Sequence, residues 1–273
     1  MSQLKELQAV ALEILLEFDK LCRNKDIPYF LDCGTVLGAV RHGGFIPWDD
    51  DIDVGMLRKD YERFLAIAQH ELPEFLVLQN YQTEKAPFVF SKIRKKNTTY
   101  LQFNLRNLPI SRGIFIDILP YDFLPEDTNE AWLHIKKCNR IQRLFYLRMI
   151  PDRVIPPNGK ISWYLKAMVR RIVHYVLHIF SSEKIVTKME EAFKAHPESS
   201  KITCHFHGEN FIDIYDYSEI FPLKEIVFEG HSFPAPRLTH EFLTKLYGDY
   251  MQPPPIDQRV WHLPIKISTD REI

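Results

Sequence analysis

The chain has 273 residues, enough for one large domain or two small ones. Apolar residues make up 45% and charged residues 26%, and a net charge of -1 with a pI near 6.8 excludes a molecule that binds polyanions over its whole surface. Four scattered cysteines with no C-x-x-C pair exclude a disulfide scaffold and fit a reducing compartment.

The N-terminal stretch carries acids and lacks the basic-then-apolar layout of a secretory signal, and no run reaches the roughly 18–20 apolar residues of a membrane span, so a cytoplasmic location is expected. Leu4, Leu7, Val10, Ile14, Leu15, Phe18, Leu21 and Cys22 recur at helical spacing and predict a long amphipathic helix. Residues 27–32 read as a strand. Gly34-Thr35 leads into a helical turn through Val36, Leu37, Ala39 and Val40, which Gly43-Gly44 ends. Residues 51–56 alternate, with Ile52 and Val54 on one face and Asp51 and Asp53 on the other, and predict a strand. A helix over 59–72 follows, then strands over 75–78, 88–93 and 114–119. Helices are expected over 127–150 and 161–181, then a hairpin over 226–234 turning at Gly230 and a helix over 238–247. Pro253-Pro254-Pro255 ends regular structure. Mixed helices and strands without an internal repeat give an α/β (α+β) expectation. Residues 1–125 are expected to form an α/β catalytic core, 126–200 a basic, mostly helical region, and 201–273 a segment whose last strands return to the core near residue 226.

The chemistry concentrates in WDDDIDV at 48–54. Carboxylates held side by side repel one another, and a divalent cation of the Mg²⁺ type, which prefers oxygen ligands, resolves the conflict. Asp51 and Asp53 at i and i+2 of a strand project to one point. Two metal ions held there stabilise the attacking and leaving oxygens of an in-line phosphoryl displacement. In GIFIDIL at 113–119, Asp117 is a lone acid on an apolar strand and needs a partner, which a neighbouring strand carrying Asp51 and Asp53 would supply through metal. Asp49 and Asp50 fit a solvated acidic loop as well as they fit the site. The Gly34-Thr35 turn ahead of a helix offers backbone N–H groups to phosphate. Lys92 and Arg94 alternate and share a face, where they could meet a diphosphate, and Arg41 in the loop before the acids is a comparable candidate.

With these residues in place, the string FLDCGTVLGAVRHGGFIPWDDDIDVGM at 30–56 resembles the LicD family of the nucleotidyltransferase superfamily, which includes DNA polymerase β. SKIRKKNTTY at 91–100, GIFIDILPYD at 113–122 and YGDYMQPPP at 247–255 extend the likeness over most of the chain. The resemblance implies a polymerase β-like mixed-sheet core with an appended helical region. It also implies transfer of a phosphoalcohol, typically phosphocholine from CDP-choline, to a sugar hydroxyl of a teichoic acid or lipopolysaccharide precursor, with release of CMP. By motif position, Asp51, Asp53 and Asp117 would hold Mg²⁺ (or Mn²⁺) and carry the reaction, with Asp117 also a candidate to activate the acceptor. Gly34, Thr35, Arg41, Lys92 and Arg94 would contact the donor. Because quaternary ammonium ions are held by aromatic faces, Trp48 or Tyr121 would contain a choline head group. Transfer of ribitol or glycerol phosphate from a CDP donor, a polymerase-like nucleotidyl transfer, and an inactive scaffold are the competing readings.

Residues 131–182 hold ten lysines and arginines, among them Lys136, Lys137, Arg140, Arg143, Lys166, Arg170 and Arg171, against Asp152 alone, with aromatics interleaved. Basic amphipathic helices of this kind suit an anionic membrane surface and a lipid-linked glycan acceptor, and a solvated helix face explains them equally; nucleic acid is disfavoured. Cys204, His205 and His207 offer zinc-type donors, but no second pair stands at a matching spacing. Trp261 and His262 are further candidates for substrate contact, with surface placement the simpler reading.

Overall fold

The computed structural model describes residues 2–152, 161–205, 214–259 and 264–272. Helix α1 (Gln3–Asn24) is capped by Ser2 and buries the stripe its sequence marks, from Leu7 through Ala11, Ile14, Leu15 and Phe18 to Leu21. The chain then makes β1 (Phe30–Leu31), α2 (Cys33–His42), β2 (Asp53–Leu57), α3 (Arg58–Glu71), β3 (Leu76–Gln79), α4 (Tyr81–Glu84), β4 (Ser91–Lys95), β5 (Thr99–Leu101) and β6 (Phe115–Phe123). After β6 come α5 (Thr128–Met149), α6 (Ile161–Val176), α7 (Ser182–Phe193), β7 (Lys201–Cys204), β8 (Tyr215–Asp216), α8 (Tyr217–Ile220), β9 (Lys224–Phe228), β10 (His231–Ala235), α9 (Thr239–Tyr247) and β11 (Lys266–Ser268).

The main sheet runs β1-β2-β6-β4-β3, with β2 parallel to β6 and the other neighbours antiparallel. Strand β6 is the long central member. β4 occupies one of its sides over Phe115–Ile118, and β7 continues on that side where β4 stops, pairing Tyr121 with Cys204. Alternation along β6 sorts the two faces. Val54, Met56, Ile93, Ile116 and Ile118 form an apolar face with almost no exposed surface. It is covered by α1 and α3, which meet through Phe18 and Phe64, 5.2 Å between centroids. The opposite face carries Asp53, Gly55, Lys92, Arg94, Phe115 and Asp117. Gly55 is needed there because a Cβ would lie 2.4 Å from the Phe30 ring.

Several expectations change. The strand over 27–32 shrinks to Phe30–Leu31, and the strand over 88–93 begins at Ser91. The acidic strand begins at Asp53 rather than 51, so Asp51 lies in the irregular segment before it. The hairpin over 226–234 forms, but as a separate two-stranded sheet of β9 and β10; the strand that returns to the core is β7. The helix over 161–181 ends at Val176 with a short 3-10 turn behind it, and α7 is a new helix opened by Ser181, whose side chain caps Lys184 N–H. Trp261, His262 and His207 lie outside the described residues.

Candidate active site

Parallel pairing of β2 and β6 sets Asp53 directly beside Asp117, residues 64 positions apart in the chain but adjacent in register. One backbone and one side-chain hydrogen bond fix the start of β2: Asp117 N–H donates to Ile52 O at 2.8 Å, and Asp53 N–H donates to Thr35 Oγ1 at 2.8 Å. Asp51 swings in from the preceding segment, and carboxylate oxygens of Asp51, Asp53 and Asp117 lie within 4.8 Å of one another. Burial raises the Asp53 carboxyl well above the usual range, and the neighbouring charges of Asp51, Asp117, Asp32 and Asp49 push it the same way. Lys92 of β4, opposite Asp117 in register, forms a buried ion pair with it. Its ammonium sits 3.5 Å from the centre of the Phe115 ring and 5.1 Å from those of Phe88 and Phe90.

A carboxylate trio of this kind suits a divalent cation of the Mg²⁺ type, because all its donors are hard oxygens and a cation reverses the repulsion that raises Asp53. The trio forms the floor of a cleft of about 610 Å³. Gly34, Trp48, Asp49 and Lys92 also line it, as do Phe88, Phe90, Tyr146 and Tyr247, which the sequence reading did not single out. Phe88, Phe90 and Lys92 alternate in the sequence, a signal that the three share a side; Tyr146 and Tyr247 carry no such mark. Burial raises the Tyr247 hydroxyl well above its ordinary value, reinforced by Cys33, Asp53, Asp32 and Asp49, so it stays protonated and able to donate.

The other singled-out residues divide by position. Gly34 approaches Asp49 so closely that a Cβ would stand 2.6 Å from Asp49 Oδ2. Thr35 is buried and holds the Asp53 backbone, and α2 is already capped by Asp32, whose side chain accepts from Cys33 N–H at 2.7 Å. Arg94 lies beneath the cleft, donating to Gln79 Oε1 and Gly113 O at 2.5 Å each. Tyr121 turns away, its hydroxyl donating to Asp32 Oδ2 at 2.7 Å. Arg41 donates to Tyr250 O and reaches over Trp48, whose ring also meets Arg259 at 4.5 Å, so the guanidinium groups make this end of the cleft cationic. Asp50 is buried and accepts from the Tyr100 hydroxyl; it is absent from the cleft lining, while Asp49 is part of it. Cys204, beside Tyr121 in register, takes the carboxylate face of the sheet, and His205 leaves it to stack on Phe193.

The family described as LicD/FKTN/FKRP, nucleotidyltransferase domain, matches residues 26–151, which contain all three carboxylates. Over 270 residues the chain is 31% identical to the lipopolysaccharide cholinephosphotransferase LicD of Haemophilus influenzae, covering 95% of this chain and 96% of that protein. The chain belongs to the LicD family. The ribitol 5-phosphate transferases FKRP of human and mouse are each 50% identical to it over 128 residues, 46% of this chain and 23% of theirs. Like these LicD-family relatives, the chain is a phosphotransferase, and the activities for which the relatives are named both move a phosphoalcohol.

Proposed function

We propose that the chain transfers phosphocholine from CDP-choline to a sugar hydroxyl of a cell-surface glycan precursor, such as a teichoic acid or lipopolysaccharide, and releases CMP. The observation that carries this reading is the in-register pair Asp53 and Asp117, joined by Asp51 at the floor of an aromatic-lined cleft. Near full-length likeness to a cholinephosphotransferase supports choline as the alcohol. Asp51, Asp53 and Asp117 would hold Mg²⁺ or Mn²⁺. When bound, such a cation neutralises charge on the diphosphate oxygens. The acceptor hydroxyl attacks the phosphorus nearer the choline, the bond from that phosphorus to the CMP oxygen breaks, and the hydroxyl proton passes to a carboxylate, for which Asp117 is the candidate. Lys92 orients Asp117 through their ion pair. The guanidinium groups of Arg41 and Arg259 held on Trp48 suit the donor's diphosphate, and the faces of Tyr146 and Tyr247 suit a quaternary ammonium. Trp48→Ala then raises the donor KM; an unchanged KM removes Trp48 from this role.

The acceptor side draws on α6. Its apolar residues Tyr164, Leu165, Met168, Ile172, Tyr175 and Val176 face outward, between 54% and 69% exposed, while Trp163, Ala167, Arg170 and His174 face the protein. Helix α5 exposes Lys136, Lys137, Arg140 and Arg143. An outward apolar face with basic residues nearby suits peripheral docking on an anionic membrane that presents a lipid-linked acceptor. Among the described residues no helix is long and apolar enough to cross a membrane.

The test is CMP release from CDP-choline with Mg²⁺ or Mn²⁺ and a glycan acceptor, comparing wild type with Asp53→Asn. Acceptor- and metal-dependent release that the variant loses supports the proposal. Release only from CDP-ribitol or CDP-glycerol keeps the chemistry and changes the alcohol, the second reading favoured by the FKRP likeness. Silence with every donor, or release of phosphocholine in place of CMP, overturns it.

A further inference from the structure

Strand β6 carries another acid, Asp122, on the face away from Asp117. Arg58 meets it with two hydrogen bonds of 2.8 and 2.7 Å. Near it, three side chains with metal-binding atoms converge. His134 and Cys138 stand one helical turn apart on α5, and His205 follows the end of β7. Each offers a ligand atom, and the three atoms lie within 4.8 Å of one another. Cys138 Sγ and His134 Nε2 are 3.4 Å apart, close to the separation that a shared tetrahedral zinc imposes on sulfur and nitrogen ligands.

A second observation points to a ligand here. His205 is 4% exposed, and neither of its ring nitrogens has a hydrogen-bond partner among the described residues. Buried polar atoms left in this way are costly and call for a cause. The ring is held by a stack on Phe193, 4.4 Å between centroids and 9° between planes. His196, whose ring centroid is 4.8 Å from that of His134, is the nearest candidate for a fourth position, which water fills otherwise.

We propose that His134, Cys138 and His205 form a second metal site, for zinc or a similar borderline divalent cation, which ties α5 to β7 and is separate from the carboxylate site. Two nitrogens and one sulfur suit such a cation and not Mg²⁺, whereas the three carboxylates suit Mg²⁺, so the two sites select different metals. Burial keeps the His205 ring neutral, with its pKa lowered to about 4, ready to ligate without losing a proton. Burial pushes the Cys138 thiol up to about 12, so binding exchanges its proton for the metal and releases H⁺ to solvent.

The full-length protein, stripped with chelator, is titrated with Co²⁺ and followed by absorption spectroscopy. The expected result is one equivalent bound with tetrahedral visible bands and a near-ultraviolet thiolate-to-cobalt band, displaced by Zn²⁺ and unaffected by excess Mg²⁺. Cys138→Ser loses the thiolate band, His205→Gln weakens binding at least tenfold, and Asp53→Asn keeps the spectrum. A wild-type protein without a thiolate band overturns the proposal whatever the variants do. So does a spectrum that survives Cys138→Ser but vanishes in Asp53→Asn, because the cation then sits on the carboxylates.

Discussion

Asp53→Asn should make the metal-free protein more stable while removing its activity. Carboxylate oxygens of Asp51, Asp53 and Asp117 lie within 4.8 Å of one another. At an effective dielectric of about 20, two unit charges at such a distance repel by about 3 kcal/mol. Asp53 faces two of them, and the Lys92 ammonium on Asp117 offsets about one. Because burial and its neighbours raise the Asp53 carboxyl well above the usual range, protonation already relieves part of the remainder. A gain of about 1–2 kcal/mol is left for the neutral amide, or roughly 2–6 °C in Tm for a chain of this size. Thermal unfolding in EDTA reads this directly. Adding Mg²⁺ at ten times its Kd should then stabilise wild type by about 1.4 kcal/mol and leave the variant unmoved. CMP release by the variant should fall by about 100-fold or more. If Asp53→Asn is less stable than wild type in EDTA and Mg²⁺ shifts neither protein, the carboxylates are a structural hydrogen-bonded cluster and the metal reading fails.

Lys92→Met should cost about 3–5 kcal/mol in denaturant unfolding without metal, since it strips the buried Asp117 of its ion-pair partner, and Mg²⁺ should recover part of the loss. Gly34→Ala should leave the unfolding free energy within about 1 kcal/mol of wild type, because the atom in the way is the mobile end of a side chain; displacing Asp49 should still raise the donor KM several-fold in steady-state assays. Ile172→Glu, on the exposed face of α6, should abolish flotation with anionic liposomes while leaving turnover of a soluble acceptor intact; undiminished flotation removes α6 from membrane docking.

What the sequence made legible followed from periodicity and from chemical conflict. The stripe of α1 and the hairpin at Gly230 were readable because their patterns match helical and strand repeats. The conflict of three acids near Ile52 and Ile116 pointed to the carboxylate floor. The join between Asp53 and Asp117 was expected in kind, but its register comes from pairing across 64 positions, which no local pattern encodes. Asp51 reaches the site by a route the alternation did not describe, because β2 starts two residues later. Arg94 and Tyr121 have the residue types of donor contacts, yet the core takes up their polar ends through Gln79, Gly113 and Asp32. Short spacing in the sequence marks Cys204, His205 and His207 as zinc-type donors, whereas the fold gathers His205 with two residues of α5 some 70 positions earlier.

The parallel ladder between β2 and β6 separates two kinds of constraint in the molecule. The distance between Asp53 and Asp117 is a property of main-chain pairing, so it is insulated from most side-chain exchanges. The cleft above is walled by side chains from widely separated segments, including Trp48, Phe88, Tyr146 and Tyr247, each replaceable without touching that ladder. Because wall and ladder come from different parts of the chain, exchanging wall residues leaves the Asp53–Asp117 spacing intact, which suits a family whose members are named for choline phosphate and for ribitol phosphate.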